Sequence, residues 1–142
     1  MSSLLQGNGD DYPDAASKHL ADARALLAAA RADGAAYLAG YVVECALKTI
    51  LQVATGRAPK VHSLIDLTSR VASSSAAAGA TIARYVTGNV TGIPAASIAG
   101  WSETMRYHAP RIAQGDAAGW VLEARAVHDD TVAQMILDGV VQ

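Results

Sequence analysis

One stretch constrains this chain more than any other: Gly34–Leu51, GAAYLAGYVVECALKTIL, in which Glu44 and Lys48 are the only charged residues. Apolar residues cover nearly every angle of a helical wheel, which places the segment inside a bundle rather than on its surface. Its length and its richness in Ala and Leu exclude a strand. Small residues at Ala35, Ala36, Ala39, Gly40 and Ala46 let neighbouring helices approach closely. Tyr37, Tyr41, Glu44 and Lys48 fall at i, i+4, i+7 and i+11 and form one polar-tipped stripe. A carboxylate in so apolar a helix is costly unless paired, so Glu44 needs a cationic partner or a raised pKa.

The segments around it read as helices. Met1–Tyr12 is polar, with a turn signal at Asn8-Gly9, and is expected to be a flexible tail. Asp11 or Asp14 caps a first helix with Pro13 early in it, running to about Arg31. Asp33-Gly34 is expected to end it, and the short link returns the central helix antiparallel. Thr55-Gly56 and Pro59 break the chain before Ser63 caps a third helix, with Asp66 as a capping-box variant. Ser73–Ala80, SSSAAAGA, is either a fraying helix end or a loop. A short helix over Thr81–Val86 is followed by the loop GNVTGIP. Pro94 is expected to open a further helix through Ile98, Trp101 and Met105, ending near Pro110. The last helix starts at Gly115-Asp116 and carries Val121, Ala124, Val127, Val132, Met135 and Ile136. The expectation is one all-α domain over residues 1–142, an up-and-down four-helix bundle with one or two extra short helices.

Composition excludes several functions. The net charge is -2, so no global basic field attracts nucleic acid, and any such contact rests on a local cluster. Cys45 is the single cysteine, so no internal disulfide forms; with no secretion signal and no charge-free membrane span, a cytoplasmic protein is expected. The four histidines lack metal-ligand spacing, so neither a metal site nor a cofactor is expected. His19 and His128 are expected in solvent, Cys45 buried and inert, and Trp101 and Trp120 as core or dimer anchors.

Arg106, Tyr107, His108 and Arg111 crowd together beside Pro110. Two guanidiniums can grip a phosphate, His108 can move a proton and Tyr107 can stack on a base. The same cations would also complement a helix C-terminus.

Three segments in order resemble a HEPN domain (higher eukaryotes and prokaryotes nucleotide-binding). They are the AxYLAGYVVECALKTIL helix, His62-Ser63-Leu64 opening the third helix, and Met105–Pro110, MRYHAP, which is similar to the family's Arg-Tyr-Pro. The resemblance implies a dimeric helical bundle that binds a nucleotide or RNA phosphate. It also implies a separately encoded minimal nucleotidyltransferase as partner, in a toxin-antitoxin-like system. Nuclease members of the family separate an Arg and a His by four to six residues, whereas one residue separates Arg106 from His108. A formal match to that spacing at Arg57–His62 lies in a different loop. A metal-independent ribonuclease using Arg106 and His108, and a dimeric scaffold without ligand, are the alternatives. The resemblance further places Arg106 against the central helix, where it is expected to pair with Glu44 in preference to Lys48. His62 is expected to fix the start of its helix.

Overall fold

The computed structural model describes residues 1–78 and 80–142, and every regular element among them is helical. Four long helices form the bundle: α1 (Tyr12–Ala28), α2 (Ala32–Thr55), α3 (Leu64–Ala78) and α6 (Gln114–His128). Short α4 (Ala80–Ala83) and α5 (Gly88–Thr91) lie between α3 and α6, and a π-helical turn, Asp129–Ala133, leads from α6 into α7 (Gln134–Leu137). Helix α2 packs against α1, α3 and α6, so the chain is built around it. By length and composition α2 could cross a membrane, yet 78% of its apolar window is buried inside the protein, as in a core helix.

The link between α1 and α2 differs from expectation. Ala30 adopts a left-handed φ of 57°, and the Arg31 amide reaches back to the Leu26 carbonyl, closing α1 earlier. Asp33 therefore sits in the first turn of α2, where a carboxylate is stabilised by the helix dipole. Gly56, at φ 76°, ends α2 in the left-handed cap that glycine alone adopts without strain. The Asp66 amide donates to Ser63 Oγ at 3.2 Å and so caps α3. Of the Ser73–Ala80 stretch, Ser73–Ala78 is helical, and Gly79 lies outside the described residues.

The largest departure lies between Pro94 and Pro110. No long helix forms there; three 3₁₀ turns do, at Ile93–Ala95, Ser97–Gly100 and Glu103–Tyr107. Ala96, Trp101 and Ser102 take extended conformations between them. Two tertiary contacts outweigh helical propensity. Glu123 accepts the amides of Ser97 and Ile98, and the Trp101 indole N–H donates to the Tyr37 carbonyl at 2.9 Å. The expected tail also lies against the body: Ser3 pairs with Gln142, and Gln52 donates to the Leu4 carbonyl.

His128 is 9% exposed rather than solvated, with Nε2 3.0 Å from Ser17 Oγ across the α1–α6 contact. Burial lowers its pKa, against a smaller opposing effect of Asp129. The unfolded chain then takes up a proton that the folded one resists, so stability should fall as pH drops below ~6.5. His128→Gln should flatten that slope in denaturant titrations at pH 5 to 7.

A second test concerns Gly40. A Cβ there would sit 2.1 Å from the Trp101 ring, which is buried on the α2 backbone. Helix propensity favours Ala over Gly by ~1 kcal/mol, but overpacking of this kind costs ~1–3 kcal/mol or more. Gly40→Ala should lower the melting temperature and shift Trp fluorescence.

Candidate functional site

The polar stripe of α2 organises the site. Near its start Tyr37 and Tyr41 stack edge to face at 5.1 Å, with hydroxyls 3.2 Å apart. Trp101 packs edge-on against Tyr41 at 4.9 Å, and the His19 ring of α1 lies 5.6 Å from the same tyrosine. Burial raises the Tyr41 pKa, helped by the Tyr37 hydrogen bond, so this phenol stays protonated.

One turn on, the buried carboxylate finds its partners. Lys48 Nζ donates to Glu44 Oε1 at 2.7 Å, and His62 Nδ1 lies 3.0 and 3.1 Å from the two carboxylate oxygens. The Glu44 and Lys48 side chains are only 4% and 5% exposed, whereas His62 is half-exposed. The expected Glu44–Arg106 pair is therefore not formed. An exposed i, i+4 pair contributes only ~0.5 kcal/mol, but this one is shielded from water on both sides. Arg106 sits in the last 3₁₀ turn, whose buried residue is Met105, and its guanidinium lies over the Tyr107 ring at 4.9 Å. His62 does more than begin α3: it clamps the 56–63 loop to the middle of α2.

A cleft of about 700 Å³ opens beside this trio, lined by Tyr12, Tyr41, Cys45 and also by Asp10, Asp11 and Asp14. Its carboxylates, Glu44 included, outnumber Lys18 and Lys48. Burial pushes the Cys45 thiol up to about 12, so it is no nucleophile.

Beyond the Tyr37 end of the stripe, Arg106, Tyr107, His108 and Arg111 all lie exposed on one short segment. Asp33 anchors that segment by accepting the amides of Arg111 and Ile112 at 3.0 and 3.2 Å. Among the described residues, no carboxylate lies within 4.0 Å of the Arg106 or Arg111 guanidinium, and no hydrogen bond orients His108. Arg106 lies in the last part of a 3₁₀ turn and His108, which follows it, is extended, so no long helix ends at this cluster. Sequence reasoning missed the Glu44–His62 contact and the Asp33 anchor, since nothing local marks a bond between residues 33 and 111.

This is an all-α bundle built on an apolar helix with a polar stripe, and comparison with known families gives the same class. Residues 11–91, more than half of the 142-residue chain, match the HEPN domain. The chain belongs to the HEPN domain family, and at that level it is a nucleotide- or RNA-related module. The match ends before the Arg106–Arg111 segment. No curated protein and no solved structure matches the chain significantly.

The buried pair makes a testable prediction. Glu44→Gln or Lys48→Met alone should each destabilise by ~3 kcal/mol or more, because a lone buried charge remains. The double variant should lose clearly less than the sum, measured by denaturant unfolding.

Proposed function

We propose that this HEPN-family protein is a binding module that holds the phosphate of a nucleotide or RNA on the Arg106–Arg111 segment. The observation that carries this reading is that, among the described residues, no carboxylate lies within 4.0 Å of either guanidinium, in a chain whose net charge is negative. A free guanidinium can meet a phosphate through two parallel hydrogen bonds. Tyr107, 75% exposed beside Arg106, offers a ring for a base to stack on. Of the nearby carboxylates, Asp33 is spent on backbone amides and Glu103, in the same turn as Arg106, accepts from the Ser102 hydroxyl. Binding is preferred to RNA cleavage because His108 has no orienting partner among the described residues, and a proton-transferring His works best when its second nitrogen is held.

In this reading the module works with a separately encoded nucleotidyltransferase and as a two-fold dimer. Trp101 is used within the chain, and an apolar face offered to a second copy is the α1–α6 groove. Leu122, 68% exposed, stands there beside Leu27 and Val121, between Arg24 and Arg125. Sedimentation at micromolar concentration should give the dimer mass, and Leu122→Asp should shift it to the monomer.

Arg111→Ala should weaken nucleotide or RNA-oligomer binding by ~10-fold or more, with little change in melting temperature, and binding by the parent should fall with salt. Equal binding by the variant, measured calorimetrically, would place the ligand elsewhere and overturn the reading.

A further inference from the structure

Two clefts of this protein differ in sign. The one beside Glu44 is lined by four carboxylates. The other, about 470 Å³, lies between the C-terminal end of α2, the loop after it and α3, and no carboxylate lines it. We propose that this second cleft binds a small organic phosphate, one with an apolar or planar body. The proposal is independent of the Arg106–Arg111 reading.

Its charge comes from Arg57 and Arg70. Among the described residues Arg57 has no carboxylate within 4.0 Å, and Arg70 engages Asp66 through Nε alone, at 3.2 Å. The remaining guanidinium donors of both are available to an anion, and the planar fork suits a phosphate.

Two of its hydroxyls are also uncommitted. Thr49, Thr55, Thr68 and Thr131 each donate to the carbonyl four residues back, the usual fate of a hydroxyl in a helix. Ser73 and Ser74 line the cleft without a hydrogen-bond partner among the described residues. They stand at i+3 and i+4 from Arg70, so cation and hydroxyl donors share one face of α3.

The floor is different in character. Leu51 is buried, and Ala58 and Pro59 form the adjoining wall. Cationic and hydroxyl donors over an apolar floor, in a volume of this size, match an amphiphilic anion rather than bare phosphate. A purely structural account would have Arg57 cover the carbonyl end of α2. Among the described residues the Arg57 side chain donates no hydrogen bond to that end, where the Gly56 amide donates to the Gln52 carbonyl and the Thr55 hydroxyl to that of Leu51.

The test uses the full chain, 15N-labelled, titrated with 1-naphthyl phosphate, with 1-naphthol and inorganic phosphate as controls. Amide shifts should cluster at residues 55–59 and 69–74, and naphthol and phosphate should each bind at least tenfold more weakly. Arg57→Ala combined with Arg70→Ala should weaken the naphthyl phosphate by tenfold or more, while Arg111→Ala leaves it unchanged. Should the double variant lose its fold with the Asp66 contact, Arg57→Ala alone, which breaks no ion pair, carries the comparison. No cleft shifts at millimolar ligand, or equal affinity of parent and Arg57→Ala, would overturn the proposal.

Discussion

The pairing of Glu44 with Lys48 inside the most buried helix is the interaction on which the arrangement rests. Ionised alone, either group would oppose burial by several kcal/mol, so the charged stripe of α2 can enter the core only as a pair. Once paired, the carboxylate still has acceptor capacity, and His62 uses it. One bond network thus holds α2 and the 56–63 loop in register and fixes where α3 begins. Replacing such a pair by apolar residues is often no loss of stability, so its physical consequence here is positional: it sets a polar wall on a cleft inside an otherwise apolar bundle.

A second constraint acts one turn earlier. Gly40 has no side chain, and the Trp101 indole occupies the space a Cβ would need while donating to the Tyr37 carbonyl. That contact, together with the Glu123 carboxylate accepting the Ser97 and Ile98 amides, accounts for the irregular path of residues 93–107. The ring must reach the α2 backbone, and a continuous helix through Trp101 would point it elsewhere. Because the path turns there, the following residues emerge on the surface, and Arg106 and Arg111 end up facing solvent instead of the core.

Much of the fold was legible. The apolar stretch, the Pro13 start, the Gly56 stop and the Ser63 cap are local signals, and each element they delimit is present. The region after Pro94 was not legible, because its conformation depends on Glu123 and Tyr37, which lie far away in sequence. Within the site, the need for a partner to Glu44 followed from burial alone. Its identity did not: an i, i+4 lysine has a small effect in water, and only its near-complete exclusion from solvent makes it decisive.

The sequence by itself determined that this is an all-helical chain centred on residues 34–51, that Glu44 must be neutralised, and that any anion must meet a local cluster of cations. These follow from periodicity, capping chemistry and the cost of burying charge, all of which are properties of the chain. Tertiary structure alone decided which cation meets Glu44, that His62 joins it, that His128 is buried and that Arg106 stays free. Lys48 stands only four residues from Glu44, but its exclusion from solvent, like the contacts of His62 and His128 and the exposure of Arg106, comes from packing between residues remote in sequence, and a spacing rule along the chain carries no information about that packing.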